Sequence, residues 1–433
     1  MARDTDIKLQ NQVIYSVYLR AHTEEGTFRA LIPDLDRIKA LGTDILWLMP
    51  IHPIGVKGKK GSLGCPYANR DYRATNPAYG TMEDFRALAD EIHSRGMKLM
   101  IDVVYNHTSP DSVLLAQHPD FFWRDENGNV GNKIGDWADV IDLDYSNPGL
   151  WDYQIESLTM WAKYVDGFRC DVASFVNIEF WKMARAMVKR VRPGCVWLAE
   201  TVHRDFGNFT RRAGFYSCRD TEAFDAFDME YEYDVREAFE RYVRGETPLS
   251  VWLDQLNFQE SVYPVNYNKL RFLENHDQPR FASLLASESD RDSFTALLFF
   301  LKGTTLLYAG QEFSCTHTPS LFEREVFPRT GRDISDRLRQ LSVIKHTVLG
   351  ADDDFWARAD DANDIAILGR ENAESRKLGV FPLKSKSASV PVEAPDGVYE
   401  NLLDGSSVTV EDGKLLCEGR PIVFVLPKRA VKA

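Results

Sequence analysis

Four apolar segments of this chain each end in groups that could do chemistry. KLMIDVVYNH (98–107) carries Asp102, Asn106 and His107, and GFRCDVASFV (167–176) carries Arg169 and Asp171. VWLAET (196–201) runs into Glu200, and RFLENHD (271–277) ends on Asn275, His276 and Asp277. Apolar runs build cores, and cores exclude unpaired charge. Side chains two apart on a strand share a face. Arg169 and Asp171 therefore point one way, while Phe168 and Cys170 point toward surrounding helices. An arginine beside Asp171 favours the ionised carboxylate, and an ionised, positioned carboxylate is a nucleophile. Glu200 follows Trp197-Leu198-Ala199 with no basic neighbour in sequence. Desolvation is then expected to raise its pKa, so that it arrives protonated. One ionised and one protonated carboxyl are what retaining glycoside hydrolysis uses, and that chemistry predicts carboxyls about 5–5.5 Å apart. Asp277 is placed to clamp ring hydroxyls and favour a distorted, oxocarbenium-like sugar.

Such residues need a frame that gathers strand ends. Short apolar runs alternate with longer amphipathic ones: VIYSVYLR (13–20), DILWLMPI (44–51), KLMIDVVY, GFRCDVA, VWLAET, AFDAFDME (223–230), RFLENHD and TTLLYAG (304–310). Helical patterns lie between them. TMEDFRALADEIHSRG (81–96) is the clearest, with Thr81 as cap, Glu83 and Asp84 in the first turn and Gly96 at the end. Eight strands, each followed by a helix, predict an α/β fold, a (β/α)8 TIM barrel whose chemistry lies where the strands end. The rival, a doubly wound open sheet, lacks a GxGxxG turn after its first strand. Residues 106–150, rich in Asp, Asn, Gly and Pro, are too long for an ordinary loop and read as an inserted small domain or lid. From 346 to 433, spaced strands such as DIAILGRE and PIVFVLP predict a C-terminal antiparallel β-sandwich domain. The catalytic barrel then comprises 1–105 and 151–345. GVKGKKGS (55–62) has Lys60 where a phosphate loop needs Ser or Thr, so it reads as a rim loop with solvated lysines.

Composition narrows the partners. A formal net charge of −13 disfavours nucleic acid and anionic membranes. No stretch approaches about 18 consecutive apolar residues, so no membrane span is expected. MARDTDIKLQNQ has no hydrophobic core of a secretory signal, which points to the cytoplasm. Cys65, Cys170, Cys195, Cys218, Cys315 and Cys417 are scattered without CxxC pairs, so free thiols are expected.

The segments DVVYNH (102–107), GFRCDVASF (167–175), VWLAETVH (196–203) and FLENHD (272–277), in this order, closely resemble those of the α-amylase family of retaining glycoside hydrolases. The resemblance spans about 13–345 and implies Asp171 as nucleophile, Glu200 as general acid/base and Asp277 as transition-state stabiliser. It implies His107, Arg169 and His276 as ligands of the same sugar, and Tyr67, in GCPYANRDY, as a ring stacked on it. It implies an α-linked oligosaccharide as partner and no cofactor for the chemistry. Asn106 and Asp142 match positions that hold structural calcium in relatives. Two departures stand out. Many endo-acting members carry a Lys-His pair where this chain has Ser174 and Phe175. That pair grips leaving-side sugars, and its histidine backbone helps bind calcium. Val172, after the nucleophile, is common in relatives acting on α-1,6 bonds or short oligosaccharides, and also occurs in some cyclodextrin- and maltose-acting members. The resemblance therefore implies hydrolysis of α-1,4-linked maltooligosaccharides, with oligo-1,6-glucosidase or α-glucan transferase as the alternative and an inactive sugar-binding relative as the remote one.

Overall fold

The computed structural model describes residues 4–134 and 137–427. The expected barrel's residues 1–3, the insert's 135–136 and the β domain's 428–433 lie outside the described residues. Eight strands close a parallel barrel: β1 (Val13–Val17), β2 (Ile45–Leu48), β3 (Lys98–Val103), then, past the insert's β4 (His107–Thr108) and β5 (Ile141–Asp142), β6 (Gly167–Cys170), β7 (Val196–Ala199), β8 (Met229–Tyr231), β9 (Lys269–Arg271) and β10 (Thr304–Tyr308). Closure excludes the open sheet. Strands such as ILWL, GFRC and VWLA are buried along their whole length, which is why they read as continuous apolar runs.

The described chain forms two compact units, one mainly Ile14–Tyr231 and one mainly Glu232–His317 with the residues from Arg329 onward. In the first unit, register sets the site. β3 pairs with β6 so that Asp102 lies opposite Arg169, and β6 pairs with β7 so that Cys170 lies opposite Ala199. Asp171 and Glu200 are then the first residues past their strands. The helix Met82–Ser94 starts with a reciprocal cap between Thr81 and Asp84, buries Phe85, Leu88 and Ile92, and is followed by Gly96 at φ +67°. The insert has its own antiparallel ladder, in which His107 of β4 lies opposite Asp142 of β5.

Two expected strands are shorter than their apolar runs. AFDAFDME contributes only its last two residues to β8, and its first, Ala223, ends the short helix Asp220–Ala223. β9 stops at Arg271, so FLENHD lies wholly past the strand. Backbone that leaves the ladder there can turn its polar side chains and N–H groups into local contacts: Asp277 donates its N–H to Asn275 Oδ1 at 2.9 Å.

In the second unit, β11 (Asp354–Asp360), β12 (Ile365–Glu371), β13 (Ser375–Pro382) and β18 (Ile422–Pro427) form one antiparallel sheet. β14 (Ser387–Pro391), β17 (Lys414–Glu418), β16 (Ser407–Glu411) and β15 (Gly397–Glu400) form the other. Ile367, Leu378 and Phe424 from the first pack with Val410, Leu415 and Cys417 from the second in one core.

Candidate active site

Arg169 organises the first unit's carboxylates. It is fully buried, and its Nη1 donates to Asp102 Oδ1 at 2.9 Å and to Asp171 Oδ1 at 2.8 Å. Its Nη2 lies 2.9 Å from Glu200 Oε1. Burial works against the guanidinium's charge, but the Asp102 and Glu200 carboxylates hold its pKa well above the ordinary value. The rings of Trp47, Tyr67 and Tyr231 surround it, with centroids 5.4–5.5 Å from the guanidinium carbon. Tyr67 also donates its hydroxyl to Asp102 Oδ2 at 3.0 Å, which fixes its half-buried ring beside the site.

Glu200 has no basic neighbour along its own segment but gains one in the fold, supplied by the neighbouring strand. Its other oxygen, Oε2, accepts the Val172 N–H at 2.8 Å. Val172 sits in the left-handed region at φ +35°, a strained conformation for a β-branched residue. That backbone turn aims its N–H at Glu200.

His107 stands in the same cluster, its Nε2 3.8 Å from Asp171 Oδ2. Burial pushes its pKa down, so the ring is neutral. The Asn106 amide donates to Nδ1 at 3.1 Å, which leaves the ring proton on Nε2, the nitrogen facing Asp171. In the second unit, His276 Nε2 lies 3.1 Å from Asp277 Oδ2, and Asn275 Nδ2 donates to the Tyr233 hydroxyl at 3.2 Å. The structure thus brings Tyr67, His107, Arg169, Asp171 and Glu200 together with Asp102, and brings His276 and Asp277 to one another.

Some neighbours carry no sequence signal. Trp47 and Tyr231 are strand residues like any buried aromatic until Arg169 is placed among them. Trp137 packs on His107 with centroids 5.4 Å apart and on Phe206 at 6.1 Å. Phe175 joins this group, 5.2 Å from Phe206, so the position that departs from the Lys-His pair is an aromatic wall. Lys60 is not merely solvated: its Nζ pairs with the buried Asp139 at 2.9 Å.

Asn106 and Asp142 also meet. Asn106 Nδ2 lies 3.5 Å from Asp142 Oδ1, and Asp142 Oδ2 accepts the Lys133 N–H at 2.7 Å. The Lys133 ammonium donates to the Leu143 carbonyl at 2.7 Å. Asn106, Lys133 and Asp142 line a cavity of about 300 Å³. Among the described residues, no group of three or more His, Cys, Asp or Glu side chains is disposed to hold a metal ion.

Comparison with known proteins agrees with this geometry. Residues 12–354 match the family described as "Alpha amylase, catalytic domain", and 357–424 match "Bacterial Alpha amylase C-terminal domain". The chain is 42% identical to the solved structure of an alpha-amylase from Lactobacillus plantarum, covering 97% of this chain and 100% of that one at a TM-score of 0.93. It is 32% identical to a noncanonic maltogenic alpha-amylase, AmyB, from Thermotoga neapolitana, covering 98% and 100% at a TM-score of 0.87. Among curated proteins it is 25% identical over 359 residues to Alpha-amylase 3 of Dictyoglomus thermophilum, spanning 74% of this chain and 68% of that relative. It is also 25% identical over 419 residues to a probable oligo-1,6-glucosidase of Bacillus subtilis, spanning 77% and 72%. The chain belongs to the α-amylase family of glycoside hydrolases and transferases.

Proposed function

We propose that this protein hydrolyses α-1,4 bonds of maltooligosaccharides by double displacement with retention of configuration. One observation carries the reading: a single buried guanidinium grips both Asp171 and Glu200, holding two carboxylates together at adjacent strand ends. This supports the short carboxyl spacing of retaining enzymes. In the first step Asp171 attacks the anomeric carbon, the glycosidic C–O bond breaks and Glu200 gives its proton to the leaving oxygen. In the second, Glu200 takes a proton from water, whose oxygen displaces Asp171 and releases an α-configured sugar. His107, with its proton on Nε2, and Arg169 bind the reacting sugar, and Tyr67 stacks on it. His276 and Asp277 act on the same sugar, Asp277 favouring its distorted form. The roles rest on the resemblance of the four segments and on the cluster around Arg169.

The barrel over 1–105 and 151–345 carries this chemistry, 106–150 form an inserted small domain or lid, and 346–433 form a C-terminal β domain. All six cysteines are free, which suits a reducing compartment and therefore short dextrins inside the cell. Among the described residues no helix is long and apolar enough to cross a membrane.

A second reading, oligo-1,6-glucosidase or α-glucan transferase, is favoured by the aromatic wall at Phe175 and by Val172. Transfer would use the same glycosyl-enzyme with a sugar hydroxyl in place of water. The products from maltoheptaose and panose, resolved by length and anomer, separate the readings. We expect maltoheptaose to yield shorter α-anomers and panose to be cut at its α-1,4 bond. Cutting of panose at the α-1,6 bond, or products longer than maltoheptaose, would favour the second reading. No turnover of maltoheptaose, pullulan, isomaltose or sucrose would leave only a sugar-binding role.

A further inference from the structure

We propose that the Lys133 ammonium is a built-in cation that takes the place of structural calcium at Asn106 and Asp142, so that the fold is independent of that metal. Calcium requires about six to eight oxygen ligands, converging at 2.3–2.6 Å. The groups at this site are committed otherwise. Asn106 turns its amide nitrogen, a donor that cannot ligate a cation, toward Asp142 Oδ1 and His107 Nδ1. Asp142 Oδ2 is held by the Lys133 backbone N–H, and the Leu143 carbonyl receives the Lys133 ammonium. Burial lowers the Lys133 pKa, and the Asp142 and Asp144 carboxylates act against that shift and supply the ammonium's counter-charge, so the cavity already holds a cation that repels a divalent ion.

The arrangement also explains what the cation does. Leu143 donates its N–H to the Asn106 carbonyl at 3.0 Å, next to the β4–β5 pair in which His107 lies opposite Asp142. The ammonium on the Leu143 carbonyl therefore closes the insert's ladder against the segment that leaves β3. One lysine thus performs the tying that a bound ion performs through several oxygens. The absence of the Lys-His pair, whose histidine backbone is a calcium ligand in relatives, falls into place beside it. The inference concerns structural tying, so it stands whichever linkage the protein cleaves.

The test is thermal unfolding of the full chain in excess EDTA and in millimolar calcium chloride, with calorimetric titration of calcium into the EDTA-treated protein. A ligand that binds only the folded state must raise Tm. We expect the same Tm in both buffers and no binding heat. A Tm several degrees higher in calcium, or stoichiometric binding, would overturn the proposal without any variant. Lys133→Met, which keeps the stem and removes the charge, is expected to lower Tm by several degrees, and Lys133→Arg to restore most of it. A Lys133→Met protein as stable as the wild type would equally overturn the proposal. Should that variant fail to fold, the wild-type measurements still decide.

Discussion

At the scale of single residues, Arg169 is the centre of the carboxylate cluster and Asp171 the group on which the proposed turnover rests. Asp171→Asn keeps the volume and the side chain's place beside Arg169 but removes the nucleophilic charge. It is expected to lower turnover of maltoheptaose on the order of a thousandfold or more. A rate within about tenfold of the wild type would remove Asp171 from the nucleophile's role. The same residues show what the sequence made legible. Arg169 and Asp171 lie two apart on one segment, so their shared face follows from strand periodicity alone. Glu200 is gripped by the same guanidinium, but the contact crosses from β6 to the end of β7 and depends on register. Nothing in VWLAET announces it. Tyr67 was found by resemblance, whereas Trp47, Tyr231 and Trp137 became visible only when the strands and the insert were assembled around their polar neighbours.

At the scale of elements, legibility followed the local signals. The helix Met82–Ser94 announced both its ends through a cap and a glycine. The sixth expected strand starts too early, because its apolar residues belong to the helix Asp220–Ala223 and the turn before β8, and the seventh runs too long, because its apolar residues continue past the ladder. Long-range ties between elements left no pattern at all, and one of these carries a strong prediction. Asp353 precedes β11 and is fully buried, and its Oδ1 pairs with Lys377 of β13 at 2.8 Å. Its Oδ2 accepts the Gly350 N–H at 2.8 Å and lies 3.8 Å from Arg370 of β12. Burial depresses the Arg370 guanidinium to about 10, so this charge already stands at a disadvantage. Removing one partner of a buried pair strands the others. Asp353→Ala is expected to destabilise the protein by about 3–5 kcal/mol. Urea unfolding measures it, and a midpoint unchanged from the wild type would show that the cluster contributes nothing net.

At the scale of the whole molecule, eight alternating strands and helices made the barrel legible, because the period of each element is a local property even when its closure is not. Response to pH is a property of the whole fold, since it sums proton binding over folded and unfolded chains. His52, in the loop after β2, is fully buried, with Nδ1 3.0 Å from the Ala74 carbonyl and its ring edge-on to Trp161 at 5.2 Å. The carbonyl accepts, so Nδ1 carries the proton of a neutral ring. Burial pushes its pKa down from 6.5 to about 4. Above the unfolded value neither state binds a proton, and the stability is fully present. As pH falls below it, the unfolded chain takes up a proton that the folded chain refuses until about pH 4. Stability is therefore lost across that window, by about 3 kcal/mol from His52 alone. Burial pushes His107 in the same direction, so it adds to the loss. His52→Gln removes the His52 contribution. Its stability, measured by urea unfolding at several pH values, is expected to fall less steeply over this window than the wild type's. An unchanged slope would assign the acid sensitivity to other groups, because a neutral amide at position 52 cannot bind the proton that the mechanism requires.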